Sequence, residues 1–311
     1  MKAVVTGGCG QIGSYLVELL ISKGIEVTVL DNLVNGSLDN LKTVKGEYSF
    51  ERIDLSRDIL ILEEADVVFH LAAIADMRLD RPEVIYENNI LATFNVLQAM
   101  VRRGVKTIVF ASSGHVYGDA TTPTVESHPT FPISVYGGTK VACEGLVRGY
   151  CGQKGLKGII VRFSTVSSER QRYGVYLDFI KRLRKNSKAL TIFGDGKQRR
   201  SYVHARNAAE ALWNCYEYSR KNNSCDVFNV ANYDTSTILT VAKEVVSSMG
   251  LRDVKFSFTG GRSWLGDIER SELSIKKITS MVGWKPNPDT SNEVVRMAAK
   301  GICERLGVLK T

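Results

Sequence analysis

The chain has 311 residues, 44% hydrophobic and 24% charged, with a formal net charge of +8 at neutral pH. That composition suits a soluble globular protein of one large or two unequal domains. No apolar run approaches the length of a membrane span and the first residues enter a strand at once, so neither a membrane protein nor a signal peptide is expected.

The first strand and turn carry the strongest local signal. Ala3 to Val5 form a short apolar run suited to a buried parallel strand. Gly7, Gly10 and Gly13 follow at regular spacing, and Ile12, Leu16, Leu19 and Leu20 then recur at helical spacing. Strand, glycine turn and helix describe a nucleotide phosphate cradle, although glycine spacing alone also fits a structural turn. A second strand, Glu26 to Leu30, ends at Asp31, where a carboxylate suits the adenosine ribose of NAD and repels the extra phosphate of NADP.

Strands are then expected near Tyr48 to Ile53, Asp66 to Leu71, Lys106 to Ala111 and Leu156 to Phe163. Helices are expected over Glu87 to Arg103, stopped by Gly104, and over Val135 to Tyr150. This alternation predicts an α/β fold, a Rossmann-type doubly wound parallel sheet covered by helices. The second half reads as helices Tyr176 to Lys185, Asn207 to Tyr218 and Leu239 to Ser248, with a returning strand at Asp226 to Val230. Pro286 and Pro288 precede a last helix from about Ser291 to Leu306. The expected division is an NAD-binding domain of residues 1–164 plus about 202–231. A smaller, mostly C-terminal α+β substrate domain takes about 165–201 plus 232–311.

Six cysteines at positions 9, 143, 151, 215, 225 and 303 form no CxxC pair. Neither a disulfide framework nor a metal site is expected, and reduced cytoplasmic thiols are the default. The basic clusters Arg170-Gln171-Arg172, Lys181 to Lys185 and Lys197 to Arg200 read as solvated surface or as contacts to a diphosphate. No aromatic–basic module for nucleic acid accompanies them.

Ser113, Tyr136 and Lys140 are the most informative constellation. Tyr136 and Lys140 stand four apart and so share a helical face, and a neighbouring ammonium and a cationic nicotinamide ring would both favour phenolate. Tyr136 is then a candidate general base for a substrate hydroxyl, with Ser113 on the same oxygen. On its own, such a pair is more often a surface helix pair; the cradle upstream favours chemistry.

Together these motifs resemble the extended short-chain dehydrogenase/reductase family, in its NAD-dependent epimerase/dehydratase branch. The resemblance rests on Thr6-Gly7-Gly8-Cys9-Gly10-Gln11-Ile12-Gly13, Asp31-Asn32-Leu33, Asp54-Leu55, His70-Leu71-Ala72-Ala73 and Asn88-Asn89. It continues through Ser112 to Gly118, Tyr136-Gly137-Gly138-Thr139-Lys140, Gly194 to Tyr202 and Gly283-Trp284-Lys285-Pro286. It implies that Gln11, Ile12, Asp31, Asn32, Asn35, Gly36, Asp54, Leu55, Leu71, Ala72, Ala73, Asn88 and Lys140 line NAD. It also implies a nucleoside diphosphate sugar held by Ser113, Thr165, Thr191, Phe193, Arg200, Arg262 and Asp267.

Dehydratases and decarboxylases of this branch carry extra acids where Gly114 and His115 stand here. What remains is the set a 4-epimerase needs, and the resemblance implies interconversion of UDP-galactose and UDP-glucose through a 4-keto sugar. The alternatives are an epimerase or reductase on another nucleotide sugar, a small-substrate dehydrogenase such as a threonine dehydrogenase, and a non-catalytic NAD sensor. A homodimer through the helices at 87–103 and 135–150 is implied as well. Thr165, Ser201 and Asn207 depart from the family pattern, and His115 is either substrate-facing or a satisfied structural histidine.

Overall fold

The computed structural model describes residues 1–58, 62, 64–76, 81–222, 225–287 and 289–309; Pro288 lies outside them. In chain order the strands are β1 (Lys2–Thr6), β2 (Glu26–Asp31), β3 (Ser49–Arg52), β4 (Val67–His70), β5 (Thr107–Ser113), β6 (Lys157–Phe163) and β7 (Thr165–Ser167). They continue as β8 (Ala189–Ile192), β9 (Arg199–Arg200), β10 (Tyr202–His204), β11 (Cys225–Val230), β12 (Ser236–Thr237), β13 (Lys255–Phe258) and β14 (Arg270–Ser271). The helices are α1 (Gln11–Ser22), α2 (Pro82–Tyr86), α3 (Ala92–Arg103), α4 (Val135–Lys154), α5 (Val175–Lys185), α6 (Ala205–Lys221), α7 (Ile238–Ser248), α8 (Lys276–Met281) and α9 (Ser291–Arg305).

Seven strands form one sheet in the order β11-β6-β5-β4-β1-β2-β3, and every neighbouring pair is parallel. From β1 the chain winds outward to β2 and β3, then crosses back to β4 and winds the other way. That reversal opens a crevice at the carboxyl ends of β1 and β4, where ligands of open α/β sheets bind. Apolar strands demand cover on both faces. Leu16 and Leu20 of α1 pack with Leu212 and Cys215 of α6 on one face; Val96, Leu97 and Met100 of α3 pack with Cys143 and Val147 of α4 on the other. Each fully buried Leu or Val contributes about 1.5–3 kcal/mol relative to exposure.

A third apolar cluster lies apart from both. It joins Phe179 and Leu183 of α5, Val241 and Val245 of α7, Val294 and Ile302 of α9, and Leu190 and Ile192 of β8. The short pairs β7–β10, β8–β13 and β9 with β12 and β14 belong to this half of the chain.

The helix expected at 87–103 starts earlier, at Pro82, and contains a π turn over Glu87–Leu91. The turn buries Asn89, whose amide clamps the backbone of Ile74: Ile74 N–H donates to Oδ1 at 2.8 Å, and Nδ2 donates to Ile74 O at 3.1 Å. Helix α4 runs past Tyr150 to Lys154 and ends on Gly155 in the left-handed conformation.

Candidate active site

The amino terminus of α1 faces the crevice. Its cap is Gly10, which offers no side-chain hydrogen bond, and its first turn has no acidic residue. Unpaired helix N–H groups there suit an anion. Close packing makes this geometry possible: a Cβ on Gly13 would collide with the Gly7 carbonyl and lie 2.7 Å from Gly8 Cα, and one on Gly7 (φ +69°) would lie 2.7 Å from Ala72 N. Gln11 Nε2 is buried at this point without a partner among the described residues.

Asp31, 7% exposed, closes the second strand. Its Oδ2 accepts from Cys9 N–H at 2.9 Å and its Oδ1 from Leu33 N–H at 2.8 Å. Each carboxylate oxygen keeps a lone pair for a ribose hydroxyl. Burial pushes this carboxyl up from its ordinary range, against the lowering by the two backbone bonds. A phosphate there would meet both a carboxylate and the close approach of Gly36, whose Cβ would sit 2.9 Å from either Asp31 oxygen.

The loop after β4 is held by a buried relay. Leu71 and Ala72 N–H donate to Thr6 Oγ1 at 3.2 Å, and Thr6 Oγ1 lies 2.7 Å from His70 Nδ1. On the other side His70 Nε2 lies 2.9 Å from Thr93 Oγ1, whose proton goes to Asn89 O at 2.6 Å. Thr93 therefore accepts from His70, which is assigned as the neutral Nε2–H tautomer. Burial first, then Lys140, lowers its pKa to about 3, which keeps it neutral.

Ser113 ends β5, while Tyr136 and Lys140 share the inner face of α4. The Ser113 hydroxyl oxygen accepts from His115 N–H at 3.2 Å, and Ser113 lies near enough to the Tyr136 phenol to favour its ionised form. Lys140 Nζ donates to Ala111 O at 2.8 Å and sits 6.0 Å from the Tyr136 ring centroid. Burial lowers the Lys140 pKa to about 8, so the ammonium persists at neutral pH. The folded chain adds what the sequence does not show: burial pushes the Tyr136 phenol up, Tyr173 adds to that, and Ser113 offsets part of it.

These groups line one cleft of about 410 Å³. It brings together Gly7, Gly10, Gln11, Ile12, Gly13, Asp31, Asn32, Asn35, Gly36, Asp54, Leu55, Leu71, Ala72, Ala73 and Asn88 with Ser113, Tyr136 and Lys140. Thr165, Phe193, Arg200 and Asp267 close it from the other half of the chain. Arg200 Nη2 donates to Asp267 Oδ1 at 2.7 Å, so these two candidates form a buried ion pair. Thr191 and Arg262 stand outside the lining. Thr191 accepts from Ser257 Oγ at 3.0 Å, and Arg262 pairs with Asp119 at 2.7 Å.

Among further lining residues, Ser164 and Tyr173 carried no signal in the sequence, whereas His115, Gln171 and Gln198 lie in segments it singles out. Ser164 Oγ, Gln171 Oε1, Gln198 Oε1 and His115 Nδ1 are buried without partners among the described residues, and each residue lines the cleft. Tyr173 and Asp76 line it as well. Gln198 stands inside the Gly194 to Tyr202 motif and could have been read from it; Tyr173 follows a segment with no regular pattern. His115 meets the Tyr136 ring edge-on at 5.9 Å, and burial and Arg200 lower its pKa to about 3. The cradle, the orphaned Gln11 amide and the paired N–H groups around Asp31 fit a dinucleotide.

The sequence pattern of the NAD-dependent epimerase/dehydratase family matches residues 3–231. A crystal structure of a UDP-galactose 4-epimerase is 36% identical, with a TM-score of 0.88 over 98% of this chain and 100% of that one. The UDP-N-acetylglucosamine 4-epimerase of Methanobrevibacter ruminantium, solved with UDP-N-acetylmuramic acid, is 30% identical, with a TM-score of 0.84 over 98% of each chain. The UDP-glucose 4-epimerase of Thermus thermophilus, solved with NAD, is 30% identical, with a TM-score of 0.80 over 97% of this chain and 99% of that one.

Proposed function

Since the chain belongs to the NAD-dependent epimerase/dehydratase family, we propose that it epimerises a nucleoside diphosphate sugar at C4, converting UDP-galactose to UDP-glucose. The observation that carries this reading is the convergence of Ser113, Tyr136 and Lys140 on one cleft, with Gly114 and His115 in place of additional acids.

NAD, when bound, supplies a reversible hydride acceptor. The protein's own part is proton traffic and orientation. Tyr136 takes the proton of the C4 hydroxyl and later returns it to the opposite configuration. Ser113, fixed by His115 N–H, shares that oxygen with Tyr136. Lys140 provides positive charge beside a phenol that burial otherwise holds protonated. The 4-keto sugar has to turn within the cleft, and the Arg200–Asp267 pair and Phe193 would hold its nucleotide end meanwhile. Gly7 to Gly13, Asp31 to Gly36, Asp54, Leu55, Leu71 to Ala73 and Asn88 would hold the cofactor.

The division into an NAD-binding domain (1–164 and 202–231) and a substrate domain is supported by the separate apolar cluster of α5, α7 and α9. We extend the proposal to a homodimer through the helices at 87–103 and 135–150. Gly145, Gly149 and Gly152 are exposed on α4, and a Cβ on any of them would meet nothing within 4 Å among the described residues. Such a stripe suits close approach of a second helix.

The test is incubation with UDP-galactose, without and then with added NAD. Formation of UDP-glucose without net NADH supports the reading, and no product in either case removes it. Likeness to the UDP-N-acetylglucosamine enzyme favours a second reading, an N-acetylhexosamine substrate, and the matching assay uses UDP-N-acetylglucosamine.

A further inference from the structure

Two half-buried thiols meet over a glycine, away from the cleft. Cys151 lies near the carboxyl end of α4, and Cys225 is the first residue of β11. In the sheet Cys225 pairs with Gly158 of β6. A Cβ built on Gly158 would lie 2.6 Å from Cys151 Sγ and 3.2 Å from Cys225 Sγ. The two sulfurs thus fill the space a side chain at 158 would occupy. Glycine within a strand weakens it and commonly marks a place where something else must come close.

We propose that Cys151 and Cys225 are an oxidisable dithiol that forms a reversible disulfide between α4 and β11. Accessibility separates this pair from the other four cysteines. Cys9, Cys143, Cys215 and Cys303 are buried. β11 is the outermost strand of the sheet, bonded to β6 alone, so an oxidant reaches its thiol from the edge. Its place at the edge makes Cys225 the attacking sulfur.

With a peroxide as oxidant the steps balance. The Cys225 thiolate attacks one peroxide oxygen, the O–O bond breaks, and Cys225 becomes a sulfenic acid while the other oxygen leaves as water. The Cys151 sulfur then attacks the sulfenic sulfur, the S–S bond forms, and the hydroxyl leaves as water with the Cys151 proton. One peroxide is reduced as two thiols are oxidised, and an added dithiol reverses the change.

The experiment treats the reduced full-length protein with one equivalent of hydrogen peroxide, then alkylates it and maps the peptides by mass spectrometry. The expected result is the loss of two of the six free thiols and of two hydrogen atoms, with Cys151 and Cys225 in one linked peptide pair that dithiothreitol separates. Cys151→Ser should stop at a sulfenic acid on Cys225, trapped by dimedone; Cys225→Ser should slow oxidation of the remaining thiol by about tenfold or more. Full alkylation of both cysteines after peroxide, or linkage of either to another cysteine or another chain, overturns the proposal. The readout is thiol state, so it stands or falls separately from the substrate.

Discussion

Arg162 grips Glu144 by two parallel hydrogen bonds, Nε to Oε1 at 2.9 Å and Nη2 to Oε2 at 2.6 Å, with both side chains almost wholly out of water. Ser112 Oγ donates to the same carboxylate at 2.6 Å. Glu144 lies one turn beyond Lys140 and two beyond Tyr136 on the inner face of α4, and Ser112 precedes Ser113 in β5. The ion pair therefore sets the register between the strand end and the helix that together supply the three reactive side chains.

Removing half of that pair leaves a buried, uncompensated guanidinium. Glu144→Ala should destabilise the protein by about 3–5 kcal/mol in urea unfolding. At a temperature where it stays folded, its turnover should fall more than its substrate affinity. A loss within experimental error of zero would show that α4 is positioned by packing alone.

Tyr136→Phe removes the phenol hydroxyl and little volume. Turnover should drop by about 10²–10⁴-fold while NAD binding, followed by calorimetry, stays close to that of the parent. Near-full activity would exclude Tyr136 as the group that moves the proton.

His70 gives the stability a predictable acid limb. Its pKa is about 3 in the fold against an ordinary 6.5, so the unfolded chain binds a proton that the native state refuses. Its contribution is complete above pH 6.5, falls as pH drops from 6.5 towards 3, and levels off below. His70→Gln should lose about 1–3 kcal/mol at neutral pH by disrupting the relay between Thr6 and Thr93. Over pH 6.5 to 3 its stability should fall less steeply than the parent's. Parallel slopes would mean that other groups carry the acid sensitivity.

Gly13→Ala places a methyl against the Gly7 and Gly8 backbone and should abolish NAD binding while lowering the melting temperature. Gly138→Ala is the contrasting case. It lies in α4 with open space around it, and alanine there should be neutral or stabilising by up to about 1 kcal/mol. Equal damage from both would undo the packing argument for the cradle.

Gly149→Leu puts a large side chain on the exposed glycine stripe of α4. If a second copy packs there, sedimentation should show a shift from dimer to monomer with little change in unfolding of the single chain. An unchanged dimer would move the interface to another face.

The sheet was legible because its strands are short apolar runs separated by helices with 3.6-residue periodicity, and Gly104 and Asp31 mark ends that the structure keeps. The paired strands β7 to β10 and β12 to β14 were not, since two to four residues hold too little pattern to register. The π turn at Glu87–Leu91 escaped for another reason. It carries Asn89 to Ile74, fifteen residues away, and no local periodicity encodes such a contact. The identity of the cleft residues was readable wherever a motif fixed them. Their electrostatics were not: the sequence places an ammonium near Tyr136, and only the folded chain shows how completely the phenol is desolvated.

The position of β11 bears on the order in which the chain can assemble. β6 is complete at Phe163, but its outer neighbour, β11, is not synthesised until residues 225–230, after the chain has made β7, α5, β8 and α6. Until then β6 presents an open row of peptide groups, and the face later covered by α6 is bare. A nascent chain paused in that interval, or a fragment cut after Phe163, carries an unprotected parallel edge of buried-type residues, with self-association as its natural outcome. The last strand of the sheet thus covers the outer edge of β6 and takes over the edge position itself.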